Sequence, residues 1–140
     1  MQQVTTLEAK STQTRLSIPP LLVGAAIALI VVTGLIHFID APDNLQEAMY
    51  KGLLFLANGA AALFAAVGIY RGSKTWGWAL GFLVAGGAFV MYIVSRTIGL
   101  PGIGIDDDWF EPMGLLSLFV EGAFVLLTIV VATRYRSANR

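Results

Sequence analysis

The fold is decided by residues 18–39, which read IPPLLVGAAIALIVVTGLIHFI and contain no Asp, Glu, Lys or Arg. About 20 consecutive apolar residues, at a helical rise of about 1.5 Å each, cross the roughly 30 Å hydrocarbon core of a bilayer. Three more apolar stretches of similar length follow at residues 48–70, 76–98 and 113–133. The sequence therefore predicts an all-α protein, a bundle of four transmembrane helices.

The composition agrees with a membrane protein. Of the 140 residues, 56% are hydrophobic and 13% are charged, whereas a soluble domain carries about 25% charged residues. We expect one transmembrane domain at residues 18–134, between a polar tail at 1–17 and a basic tail at 135–140. The chain has no cysteine and a net charge of zero. Disulfides and thiolate chemistry are therefore excluded, and nothing predicts a nucleic-acid partner.

The charges between the apolar stretches are sorted by sign. If four helices alternate in direction, one side receives seven basic residues: Lys10, Arg15, Arg71, Lys74, Arg134, Arg136 and Arg140. The other side receives only Lys51 and Arg96, together with seven acidic residues: Asp40, Asp43, Glu47, Asp106, Asp107, Asp108 and Glu111. Short loops rich in Lys and Arg stay cytoplasmic, while Asp and Glu contribute little. The sequence predicts a multi-pass protein of the plasma or inner membrane with both termini in the cytoplasm.

Proline and small residues predict where the helices end and pack. Pro42 is expected to stop the first helix, and Asp43 or Asn44 to cap the second. Small residues recur every fourth position at 57, 61 and 65, and again at 77, 81 and 85. Such stripes allow helices to approach closely in lipid. They predict packing within the bundle or, alternatively, against a separate subunit.

Several polar residues interrupt the apolar stretches: Thr33, His37, Asn58, Ser95, Arg96, Ser117 and Glu121. Charged groups inside a bilayer are costly and normally face a partner or water. Side chains lean toward the N-terminus of their own helix. Arg96, on an outward-running helix, and Glu121, on an inward-running one, therefore lean toward each other. We expect these two to pair, with His37 in the same layer of the outer half and Asn58 in an interhelical hydrogen bond.

Three interpretations of this polar layer are open. In the first, it is a structural lock in which Arg96 and Glu121 neutralise each other and His37 hydrogen-bonds to a loop group. In the second, Glu121 carries protons and His37 relays them, because both side chains can titrate when partly buried. In the third, a divalent metal is bound by His37 with Glu121, Glu47 or Asp40. The metal pattern is weak, since it offers one imidazole and no thiolate.

Other cofactors have less support. A haem would need His37 as one axial ligand and Met49 or Met91 as the other. The sequence favours this interpretation less than the other three. The three consecutive aspartates at 106–108 lack the alternating spacing of a calcium-binding loop. They predict a solvated acidic loop. The sequence therefore requires no cofactor.

Four short motifs carry a family resemblance over roughly residues 34–125. These are His37 followed by APD at 41–43, SRTIGLPG at 95–102, EPMG at 111–114, and Glu121. In these motifs the chain resembles a group of small, uncharacterised bacterial four-helix membrane proteins, although Asp43 stands where that group has Glu. The resemblance implies that the outer polar cluster is the signature of the group. It implies no activity.

The functional prediction follows from what the chain carries. It is small, nearly all of it is apolar helix, and it shows no catalytic triad, phosphate-binding loop or paired carboxylates in an evident cleft. We expect a non-enzymatic accessory or structural subunit of a larger membrane complex. Its partners would be the lipid bilayer and other membrane subunits or further copies of itself. The alternative is a metal-handling or proton-conducting protein that uses His37, Arg96 and Glu121. A membrane enzyme comes third.

Overall fold

The computed structural model describes residues 17–136, and this part of the chain forms four long α-helices. They are α1 (Pro20–Glu47), α2 (Met49–Tyr70), α3 (Trp76–Thr97) and α4 (Pro112–Val131), and a short π-helical turn at Ala132–Arg136 continues α4. All but one residue of the predicted tail at 1–17, and the last four residues of the chain, lie outside the described part. The prediction of an all-α chain is confirmed for the described residues.

All four helices are long and apolar enough to cross a membrane. Pro20 and Pro112 stand at the first position of α1 and α4, where the missing N–H of proline costs nothing because that group would have no partner in the helix. The helices therefore begin close to where the sequence predicts, and the fold is that of a multi-pass membrane protein.

Each helix packs against the next, and α4 packs back against α1 to close the bundle. The α1–α2 and α3–α4 connections lie at the same end, because the Tyr50 hydroxyl at the start of α2 donates to the Pro101 carbonyl at 2.7 Å. We call this the acidic end, since it carries the aspartates and glutamates at 40–47 and 106–111. The opposite end, with the α2–α3 turn and the end of α4, is called the basic end.

The first helix is longer than predicted. Pro42 lies inside α1 and does not stop it, although proline cannot donate the usual hydrogen bond to the residue four positions earlier. The helix continues past it, and two hydrogen bonds support this segment: the side-chain amide of Asn44 donates to the Asp40 carbonyl at 2.7 Å, and the Ala48 backbone N–H donates to the Asn44 carbonyl at 3.0 Å. Ala48 alone, in an extended conformation, separates α1 from α2. The predicted caps, Asp43 and Asn44, therefore lie within α1.

Glycine allows the closest helix contacts. A Cβ on Gly34 of α1 would lie 3.2 Å from the Gly59 carbonyl oxygen of α2, and a Cβ on Gly77 of α3 only 2.8 Å from the Ile69 nitrogen. The predicted α3 stripe of Gly77, Gly81 and residue 85 is buried inside the bundle. The α2 stripe is only partly so, because Ala57 is exposed while Ala65 is fully buried.

The interior is divided along its length. The apolar core occupies the half toward the basic end and is built from these buried residues: Ala26, Ile30, Ala62, Ala65, Ala66, Ile69, Trp78, Val84, Ala85, Phe124 and Val131. Toward the acidic end the buried side chains include Thr33, His37, Ser95, Arg96 and Glu121. Of the polar residues buried in the described part, only Thr128 lies within the apolar half. The interior of the bundle thus has an apolar half and a polar half.

Candidate functional site

A polar layer joins three helices about midway along the bundle. His37 on α1 accepts a hydrogen bond from the side-chain amide of Asn58 on α2, with 2.9 Å between Nδ2 of Asn58 and Nε2 of His37. Glu121 on α4 places its Oε1 atom 3.8 Å from the same imidazole nitrogen. His37 is 6% exposed and Glu121 only 1%. The layer therefore holds two ionisable groups that solvent barely reaches.

The hydrogen bonds of His37 define where its protons are. The Nδ1 atom lies 2.9 Å from the backbone carbonyl of Thr33. A carbonyl oxygen only accepts, so Nδ1 must carry a proton. The Asn58 amide then donates to the lone pair of Nε2. This arrangement is that of a neutral imidazole, and the Phe55 ring packs beside it with 5.0 Å between ring centres.

Within the described part of the chain, Glu121 accepts a hydrogen bond from one neutral donor. The Ser117 hydroxyl, one turn earlier on α4, donates to Oε1 at 2.6 Å. The two residues share a helix face because they are four positions apart. At 3.8 Å, the gap to His37 is too long for a hydrogen bond in this arrangement. Thr33, also in the layer, is fully buried and its hydroxyl has no hydrogen-bond partner in the described part.

Arg96 belongs to a second polar cluster, at the acidic end. Its guanidinium donates to Asp106 at 2.6 Å, to Glu111 at 3.1 Å and to the Ser95 hydroxyl at 3.2 Å. The guanidinium carbon also lies 4.3 Å from the centre of the Tyr92 ring, a cation–π contact. The Arg96 side chain is 6% exposed, so its charge is almost fully enclosed by these groups.

The predicted Arg96–Glu121 pair is wrong. Arg96 stands next to Thr97, the last residue of α3, whereas Glu121 lies nine residues after Pro112, the first residue of α4. Nine residues correspond to about 14 Å along a helix axis, which is more than the leaning of the two side chains bridges. Glu111 and Asp106 lie at the level of Arg96 and take its charge instead.

The α3–α4 connection is folded so that it delivers these carboxylates. Gly99, with φ of 86°, turns the chain, and Leu100 pairs with Gly104 in an isolated β-bridge. The Asp106 N–H then bonds to the Ser95 carbonyl at 3.0 Å, and the Tyr92 hydroxyl donates to the Trp109 carbonyl at 2.9 Å. The connection is therefore an ordered cap over the end of α3. Asp106 adds to the predicted solvated acidic loop an ion pair with Arg96, while its side chain remains 34% exposed.

The remaining acidic residues in the described part of the chain are at or near the surface. Glu47 pairs with Lys51 one turn away, and Asp40 lies close enough to Glu111 for the two carboxylates to repel each other. Asp43, Asp107 and Asp108 are exposed. Within residues 17–136 no group of three or more His, Asp or Glu side chains is placed to hold a metal ion. Glu47 and Asp40 are therefore not gathered around His37 and Glu121.

The predicted haem ligands are also apart from the layer. Met49 is 73% exposed at the start of α2, and Met91 is 45% exposed on α3, whereas His37 is enclosed. Two surface hollows of the described part lie toward the basic end, one lined by residues around the α2–α3 turn and the other by residues of α3 and α4. Neither reaches the polar layer.

No known protein family, curated protein or solved structure matches the chain. The polar layer and the Arg96 cluster are thus the features that bear on function. Sequence reasoning treated Asn58 as a helix contact outside the cluster and did not consider Tyr92. Tyr92 is four residues before Arg96 on one helix, a spacing that would have indicated the contact.

Proposed function

We propose that this chain is a non-enzymatic, multi-pass subunit of a larger membrane assembly. One observation carries the proposal: the charged and polar side chains of the polar half are used to join the elements of the bundle itself. Arg96 ties α3 to the α3–α4 connection, and His37 ties α1 to α2 beside α4. In lipid, such polar side chains stabilise contacts between helices through hydrogen bonds. The outer faces of the helices, which are rich in exposed Leu, Phe, Val and Met, are available to lipid and to partner helices.

The test is isolation of the chain in a gentle detergent with mass spectrometry of what accompanies it. Cells expressing the tagged chain and isotope-labelled cells without it are mixed after solubilisation, so that proteins captured after lysis carry the label. We expect an unlabelled membrane protein at a fixed ratio to the chain, or a defined homo-oligomer. A chain that runs as a monomer in every gentle detergent would contradict the proposal.

The proposed orientation places both termini in the cytoplasm and the acidic end outside, because seven of the nine basic residues fall on the other side. The chain has no cysteine, so single cysteines at Ser11, Asp107 and Ser137 can be labelled one at a time with an impermeant reagent. In intact cells we expect labelling of position 107 only. Labelling of 11 and 137 with protection of 107 would show the opposite orientation.

The alternative, a metal-handling or proton-conducting protein, has one supporting observation. Glu121 is 1% exposed and lies 3.8 Å from the only histidine of the chain. Intramembrane ionisable residues mark ion or proton pathways in many membrane proteins. Metal analysis of the same preparation separates the two forms of the alternative, because a stoichiometric metal that is lost in His37→Gln would favour the metal form.

A further inference from the structure

The position of the His37–Glu121 pair along the bundle is informative. On α1 the buried residues toward the basic end are Ile36, Gly34, Thr33 and then Ile30, and on α4 the next is Phe124. Ile30 and Phe124 are 0% exposed. The pair therefore lies at the floor of the polar half, directly on top of the close-packed apolar core.

Toward the acidic end, by contrast, the residues near the pair are polar and partly exposed. Ser117 is half-buried and contacts Glu121 directly. Asp40, one turn after His37 on α1, is also half-buried, and Glu111 at the start of α4 is exposed. Toward the acidic end the polar side chains near the pair thus become more exposed, whereas Ile30 and Phe124 toward the basic end are apolar and fully buried.

The pair has free capacity for protons. Nδ1 of His37 is committed to the Thr33 carbonyl, so Nε2 is the single proton-accepting atom of the ring. Nε2 accepts a hydrogen bond from the neutral side-chain amide of Asn58, and Oε1 of Glu121 lies 3.8 Å from it. A proton on either Glu121 or Nε2 makes the pair neutral overall, and an unbalanced buried charge is costly. The two residues are therefore coupled through a shared proton.

We propose that His37 and Glu121 form a proton-binding site that is loaded and unloaded only from the acidic end of the bundle. A hydronium ion on that side transfers its proton, an N–H bond forms at Nε2 or an O–H bond at the Glu121 carboxylate, and water is released. When Nε2 takes the proton, the Asn58 N–H···Nε2 hydrogen bond is broken. The new N–H then donates to Oε1 of Glu121 or to the turned Asn58 oxygen. The site binds protons without passing them through the apolar half.

Few other charges face this site. On α1 the near charged group is Asp40. From α2 come the neutral Asn58 and Phe55, since Lys51 lies nearer the acidic end and pairs with Glu47. The charge of Arg96 on α3 is taken up by Asp106 and by Glu111, which precedes α4. Proton binding is therefore governed mainly by the pair itself.

The inference replaces proton conduction, in that alternative, by proton binding from one side, and it is independent of the subunit proposal, since a monomeric chain would still bind protons. The test uses the full chain with ¹⁵N-histidine in liposomes, where His37 gives the only imidazole signals. The fraction of chains with the acidic end outward is measured by labelling Asp107→Cys with an impermeant reagent. Nuclear magnetic resonance then reports protonation of each ring nitrogen while one compartment is titrated.

Lowering the external pH from about 8 to 5 should shift the Nε2 signal of the outward-facing fraction, because the proton binds either at Nε2 itself or at the Glu121 carboxylate 3.8 Å away, with Nδ1 protonated throughout. Lowering the internal pH should affect the other fraction only. In Glu121→Gln the midpoint should move by at least tenfold in proton concentration, and in the matched control Glu111→Gln by much less. An Nε2 signal that responds to neither compartment, or to both in every molecule, would overturn the inference, as would an unchanged midpoint in Glu121→Gln. If Glu121→Gln does not fold, the wild-type titration decides alone.

Discussion

Replacing Arg96 tests its ion pairs with Asp106 and Glu111. Arg96→Leu, Asp106→Asn and Glu121→Gln are made singly, and the first is combined with each of the others. The structure predicts that Arg96 is energetically coupled to Asp106, which it contacts at 2.6 Å. It predicts no coupling to Glu121, since Arg96 and Glu121 form no ion pair or hydrogen bond in the described part.

The size of the coupling follows from the burial of each partner. The Arg96 side chain is 6% exposed and that of Asp106 is 34% exposed. Hydrogen bonds to charged groups contribute about 1.5–3 kcal/mol, whereas exposed ion pairs contribute about 0–1 kcal/mol. The contribution of a pair with one buried and one partly exposed member should lie between these two ranges. We therefore expect a coupling free energy of about 1–2 kcal/mol between Arg96 and Asp106. Glu111, at 48% exposure, retains part of the interaction when Asp106 is changed.

The assay is reversible unfolding in mixed micelles, with the free energy of unfolding measured for each variant. Independent sites add within about 0.5 kcal/mol, and the Arg96/Glu121 cycle should fall within that limit. An Arg96/Asp106 cycle that is strictly additive would refute the assignment of the ion pair. A coupling above about 1 kcal/mol between Arg96 and Glu121 would show that the two side chains meet after all.

Three further outcomes are expected. Gly77→Ala should destabilise the bundle by about 1–3 kcal/mol in the same unfolding assay, because its Cβ would meet backbone atoms of α2, whereas Gly87→Ala, whose Cβ meets nothing within 4 Å, should be neutral or stabilising. Asn58→Leu should lower the free energy of unfolding by about 1–2 kcal/mol, since Nε2 of the buried imidazole loses its donor; no loss would mean that the amide does not engage the ring. Tyr50→Phe removes the hydroxyl that bonds to Pro101 and should speed amide hydrogen exchange in the α3–α4 connection without changing exchange in the apolar core.

The helices were predictable because length and hydropathy alone determine them. The four apolar stretches overlap all four helices, and the α2–α3 turn falls in the gap between the second and third stretches. The end of α1 was missed because Pro42 and three acidic residues resemble a connection. The side chain of Asn44, further along the helix, supplies a hydrogen bond to the Asp40 carbonyl that no local propensity shows.

The partners of Arg96 were not predictable for a related reason. Leaning of side chains along helices placed Arg96 opposite Glu121, but the level of each residue depends on how the α3–α4 connection folds. That fold depends on glycines in the left-handed region, including Gly99 and Gly104, and on the return of Asp106 to the Ser95 carbonyl. Such contacts come from three-dimensional closure of a loop, which residue spacing does not encode. The Asn58 hydrogen bond, by contrast, followed from a lone amide in mid-helix and is confirmed.

The single extended residue between α1 and α2 bears on how the chain enters a membrane. With only Ala48 outside the two helices, no loop exists that would let α1 settle in the bilayer before α2 is made. We therefore expect the two to be inserted together as one hairpin. Its tip carries Asp40, Asp43 and Glu47. In the proposed orientation this tip crosses the membrane, and the Glu47–Lys51 pair would cancel part of its charge as it does so. Lengthening the linker would therefore separate two insertion events that the native chain combines into one.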